Sequence, residues 1–131
     1  MEIKKNQPTG KMVLRIVPTN SNTNSNGDIF GGWIMSQMDI AGAILAKEIS
    51  KGKVVTVQVN NITFLKPISI GDIVSCYAEI IKIGTSSISI NIEIWIKKIS
   101  STPIGKKYIV AISNFIYVAI DDTGKPRTIL I

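Results

Sequence analysis

Residues 29–46 read IFGGWIMSQMDIAGAILA, a stretch apolar on almost every side with a single charged residue, Asp39, in its middle. A helix without a solvent face has to be enclosed by a sheet or by a second subunit, and this requirement narrows the possible folds more than any other part of the chain. The helix opens near Gly31 and Gly32. It ends around residues 50–52, where Lys51 brings a C-terminal charge and Gly52 a residue tolerant of positive φ. At three- and four-residue spacing Gly32, Ser36, Asp39, Gly42, Ala43 and Ala46 share a face, so the carboxylate sits among side chains too small to cover it. A charge in that setting needs a role, and the helix pattern alone leaves two open, a solvated surface acid and a catalytic carboxylate.

The rest of the chain reads as strands. Residues 11–17 (KMVLRIV) form a short strand ahead of Pro18 and a polar loop reaching Gly27. Residues 53–65 alternate with Val55, Val57 and Val59 on one face until Asn60 and Asn61 suggest a bulge or a change of register. Residues 67–71 are a turn, and a strand over 72–83 leads through Gly84 and Thr85 into the cleanest pattern present. There Ile88, Ile90, Ile92, Ile94 and Ile96 alternate with Ser87, Ser89, Asn91, Glu93 and Trp95, which predicts one fully buried face. A last strand spans 105–120 and DDTGKP follows as a turn. One short strand, one buried helix and four long strands predict an α+β fold, a curved antiparallel five-stranded sheet wrapped around one long central helix. The 131 residues suit one domain.

Composition removes whole classes of chemistry. The chain has no histidine, which excludes Ser-His-Asp and Cys-His catalysis and leaves acid or base work to Asp, Glu, Lys or Tyr. Cys76 is the sole cysteine and shares a strand face with Val74, Ala78 and Ile80, so it reads as a packing residue in a reducing compartment. No window forms a clean membrane span, and residues 1–11 lack the apolar core of a signal peptide; both point to the cytoplasm. The formal net charge of +6 favours an anionic partner, although the lysines are scattered in pairs such as Lys97 and Lys98. Nucleic acid is not that partner, because the strands offer Ile, Val and Ser where base stacking would need aromatics.

The stretch NSNGDIFGGWIMSQMD at 24–39, followed by FLKP at 64–67 and Gly71-Asp72, closely resembles the YciA-type acyl-CoA thioesterases over nearly the whole chain. The resemblance implies the hotdog fold, hydrolysis of acyl-CoA to CoA and an acid, Asp39 as catalytic carboxylate and Asn24 as its partner. It further implies that these two residues meet across a dimer interface, that dimers assemble into a trimer of dimers, and that no metal or cofactor is used. Relatives of this kind often carry a longer tail than the KPRTILI found here.

The residue types suit such chemistry. Free N–H groups at a helix start near Gly31 and Gly32 would polarise a thioester carbonyl, with glycine permitting close approach. Asp39 would act as general base on water, or attack directly to form an anhydride; the sequence leaves both open. Ser86 and Ser87, beside Gly84, are candidates for phosphate or pantetheine contacts, although a hairpin end is the simpler account. Lys97 and Lys98 are candidates for the CoA phosphates. Asp28 and Asp72 read as turn or cap residues. Two other readings share the architecture: a dehydratase, which the missing histidine disfavours, and a noncatalytic acyl-CoA-binding protein.

Overall fold

The computed structural model describes residues 5–98 and 105–131. In chain order it contains β1 (Lys11–Ile16), a single 3-10 turn (Asn20–Asn22), α1 (Gly31–Ser50), β2 (Val54–Val59), β3 (Thr63–Phe64), β4 (Ile73–Ile83), β5 (Ser87–Lys97) and β6 (Lys107–Ala119). The sheet is antiparallel in the order β1-β4-β5-β6-β2, with β3 also pairing to β6. The sheet has six strands by count because the expected strand over 53–65 is broken into β2 and β3, both on the same neighbour. Helix α1 packs against one face of the sheet, contacting β1, β2, β4, β5 and β6, the hotdog arrangement that the resemblance implies. No helix among the described residues is long and apolar enough to cross a membrane.

The isoleucine row forms the core as the alternation predicts. Ile88, Ile90, Ile92 and Ile94 are fully buried against Met38, Ala41, Leu45 and Ala46 of the helix, each contributing about 2 kcal/mol of apolar burial. Cys76 belongs to this core, and burial pushes its thiol up to about 12, so it remains a protonated packing group.

The opposite face of β5 is more enclosed than a one-sided strand requires. Glu93 and Trp95 are also buried, because the segment before β1 crosses over them. Lys5 donates to Glu93 Oε2 at 2.6 Å, the Thr9 N–H and the Trp95 indole donate to Oε1 at 3.2 and 2.9 Å, and Asn91 donates to Oε2 at 3.3 Å.

Two local expectations are corrected. Val55, Val57 and Val59 do not share a face, because the register shifts between Thr56 and Gln58. Val55 pairs with Val118, whereas Thr56 pairs with Tyr117 and Val59 with Phe115, so Thr56 and Val59 turn toward the helix side. The second correction concerns the end of α1, where the left-handed residue is Lys51 (φ 58) and not Gly52. Gly52 instead leaves room for Arg127, since a Cβ there would stand 2.7 Å from its guanidinium. Arg127 donates to the Ser50 and Ile120 carbonyls, each at 2.9 Å, capping the helix from the C-terminal segment.

Candidate active site

Asp39 lies midway along α1 and is half-buried. It lines a cleft of about 280 Å³ together with Gly32, Met35, Ser36, Thr56, Val59 and Phe115. The face expected to surround it divides. Gly42 and Ala46 are buried against the sheet, whereas Gly32 and Ser36 stay exposed, so the carboxylate stands at the border between core and open stripe. The bulge in β2 aims Thr56 at it, and the Thr56 hydroxyl donates to Asp39 Oδ1 at 2.6 Å. Tyr117 donates from below to the Asp39 main-chain carbonyl at 2.9 Å, and its hydroxyl also lies 3.3 Å from Oδ1. Burial first, then the Asp39 charge, raise the Tyr117 phenol above its usual range, which keeps it a neutral donor. Gly42 makes this approach possible, because a Cβ at that position would collide with the Tyr117 hydroxyl and come within 2.7 Å of Ile92. Ser36 donates to the Gly32 carbonyl within its own helix at 2.8 Å.

Asn24 lines a different cleft, about 310 Å³, with Asp28, Ile29, Gly31, Ile34, Phe64 and the Leu65–Pro67 segment. Its side-chain oxygen accepts from the N–H groups of Asn26 and Asp28 at 2.9 and 3.1 Å, an Asx turn that leaves its amide hydrogens to donate elsewhere. Asp28 thereby serves the turn, as its sequence position suggests. The start of α1 stands between the two clefts, Gly31 on one and Gly32 on the other. No side chain caps it, and the first bond back to Phe30 is made by Trp33 at 3.1 Å, so the Gly31 and Gly32 N–H groups point off the helix end.

A single chain therefore does not bring Asn24 and Asp39 into one cleft. The carboxylate cleft instead borders the free edge of the sheet, β2, where Val55, Val57 and Val59 are exposed, and it borders the uncovered helix residues Met35 and Ile40. Among the remaining candidates, Ser86 and Ser87 serve the β4–β5 connection. Ser87 accepts the Gly84 N–H and Ser86 accepts the Ala119 N–H through their carbonyls, each at 2.8 Å, and neither residue lines the two clefts. Lys98 is held by both oxygens of Asp72 at 3.0 and 3.1 Å, a partner whose hydrogen bond raises the ammonium pKa. Asp72 also accepts the Ser69 N–H at 2.9 Å, the turn role expected of it. Lys97 lies on the sheet face away from α1. Nothing in the sequence marks Tyr117, and the one signal for Thr56 is a lone hydroxyl in a valine-rich strand.

The sequence profile of the Thioesterase superfamily matches residues 26–102. An uncharacterized acyl-CoA thioester hydrolase of Buchnera aphidicola subsp. Schizaphis graminum is 67% identical over 128 residues, covering 97% of this chain and 95% of that protein. The acyl-CoA thioester hydrolase YciA of Salmonella typhimurium is 61% identical over 122 residues, 93% of this chain and 92% of the relative. Among solved structures, a hexameric thioesterase from Yersinia pestis superposes with a TM-score of 0.91 at 59% identity, covering 95% of this chain and all of the other.

Proposed function

This chain belongs to the thioesterase superfamily, in its YciA-type branch of acyl-CoA thioester hydrolases, and from that premise we propose that it hydrolyses acyl-CoA to free CoA and a carboxylic acid, residues 1–131 forming one hotdog unit. The observation that carries the reading is the half-buried Asp39 carboxylate, held through Oδ1 by Thr56 at 2.6 Å in a cleft that also reaches the uncapped helix start at Gly32. With Oδ1 occupied, Oδ2 is the acceptor for a proton from water. The water oxygen then bonds to the thioester carbonyl carbon, and the N–H groups at the helix start stabilise the oxyanion. Collapse of that intermediate breaks the C–S bond and releases the CoA thiolate, a leaving group good enough to need no histidine.

Asn24 enters this scheme from the partner subunit. Within one chain its amide lines the other cleft, and the exposed apolar edge at Val55, Val57 and Val59 is the surface a second copy would cover. The dimer is then the smallest active unit. A trimer of dimers is the larger assembly, a reading supported by the hexameric Yersinia relative. A cytoplasmic location belongs to the same proposal, in keeping with a sole cysteine that can form no disulfide within the chain.

The test is thiol release from acyl-CoAs of short to long chain, comparing the unaltered protein with Asp39→Ala at matched oligomeric state. Release that falls at least about a hundredfold in the variant supports the assignment. No release from the intact protein would replace it with the noncatalytic acyl-CoA-binding reading.

A further inference from the structure

A third cleft, about 170 Å³, opens on the sheet face turned away from α1 and is lined by Met12, Arg15, Ser75, Tyr77, Trp95, Ile96, Lys97, Gly105 and Lys107. Its composition follows from strand register. Arg15 of β1 pairs with Ser75 of β4, which pairs with Trp95 of β5, so the three share a face, and Lys97 of β5 pairs directly with Lys107 of β6. Three cations on three strands thus converge on one hollow. Among the described residues no carboxylate lines it. The neighbouring acids are already engaged, Glu93 by Lys5, Asn91 and Trp95, and Asp72 by Lys98. Among the described residues Arg15, Lys97 and Lys107 make no ion pair of their own.

Directly opposed lysines repel, so the Lys97–Lys107 register costs free energy unless something negative lies between them. The position of Lys97 is also constructed. A Cβ on Gly105 would stand 2.5 Å from Lys97 Cε, so the side chain lies across a residue with no side chain of its own, at a φ of 77° that favours glycine. At the floor, Ser75 and the half-buried Tyr77 add hydroxyls that can donate.

We propose that this hollow binds the phosphates of a multiply phosphorylated anion, with Arg15 as a bidentate clamp and Lys97 and Lys107 as point charges. It is too small for a whole nucleotide or CoA molecule, whose pockets run to several hundred Å³, so only the phosphate-bearing end enters. That end has two sources: the phosphates of CoA, bound to a protomer other than the one performing hydrolysis, or a free nucleotide. The first source rests on the thioesterase reading; the second does not.

The experiment titrates inorganic diphosphate, adenosine 3′,5′-bisphosphate and ATP into the intact assembly, following tryptophan fluorescence and binding heat. It compares the unaltered chain with the triple variant Arg15→Gln, Lys97→Gln, Lys107→Gln and with Lys125→Gln, a surface charge outside the cleft. Binding that weakens at least about tenfold in the triple variant and is unchanged in Lys125→Gln is expected. A KM that rises for acyl-CoA but not for the phosphate-free acyl-pantetheine assigns the site to CoA. An unchanged KM with lost diphosphate binding assigns it to a free nucleotide. Equal affinity in all three proteins, or no binding of any probe to the unaltered chain, overturns the proposal, whether or not the protein hydrolyses thioesters.

Discussion

The hydroxyls of Thr56 and Tyr117 both reach Asp39, one at the carboxylate and one chiefly at the main chain, yet neither residue stands out in the sequence. Asp39 was legible because a charge in an apolar helix is an anomaly. A threonine in a strand is not, and its aim depends on a bulge that alternation does not reveal. Thr56→Val keeps the shape and removes the donor, so Oδ1 loses its fixed partner. We expect kcat to fall about tenfold with KM nearly unchanged; an unchanged kcat with a raised KM would show Thr56 acting on binding instead. Glu93 carries the second prediction at this scale. Burial pushes its carboxyl up, but the hydrogen bonds from Lys5, Trp95 and the Thr9 N–H outweigh it, and the net pKa lies below the ordinary glutamate value. A depressed folded-state pKa contributes stability above the unfolded value of about 4.3, and that contribution disappears as pH falls through the folded value. Glu93→Gln should therefore be about 2 kcal/mol less stable at neutral pH. Its urea-unfolding curve should also lose less stability on acidification below about pH 4 than the unaltered chain does; parallel pH profiles would refute the account.

At the scale of elements, the helix and the isoleucine strand were readable because each depends on a single period, 3.6 or 2, sustained over many residues. The end of α1 and the face of β2 were not, since each is decided by a residue distant in sequence: Arg127 fills the space over Gly52, and β6 imposes the register on β2. Gly42 is the position where helix and sheet constrain each other most closely. In an open helix Gly→Ala gains about 1 kcal/mol, but here the new methyl meets the Tyr117 hydroxyl and Ile92. Overpacking of that kind costs about 1–3 kcal/mol, and because backbone and strand leave little room to shift, the steric term wins. Gly42→Ala should lower the unfolding free energy obtained from urea titration by about 1 kcal/mol net. Adding Tyr117→Phe removes the oxygen in the way, so the double variant should be more stable than the sum of the two single losses. Strict additivity would show that Tyr117 is not the atom Gly42 accommodates.

For the whole molecule, both residues of the proposed catalytic pair are visible in one motif, while their separation onto two clefts follows from no spacing in it and is expected only through the family resemblance. Asn24 and Asp39 are close in the chain, yet an Asx turn fixes one on the cleft beside Phe64 and the helix carries the other to the cleft beside Phe115. What could unite them lies at a sheet edge whose valines are exposed in the single chain, and a lone sequence does not say which edges close. If the pair forms across subunits, two inactive variants should repair each other. In a dimer built from one Asp39→Ala chain and one Asn24→Ala chain, one site carries both lesions and the other carries neither. Random pairing makes about half the dimers hybrid with one intact site of two, so a refolded equal mixture should recover about a quarter of the unaltered activity. Affinity tags of different kinds on the two variants would measure hybrid formation directly. A mixture that contains hybrids and stays as inactive as its parents would mean that each chain completes its own site, and the edge of β2 would then owe its exposed valines to assembly alone.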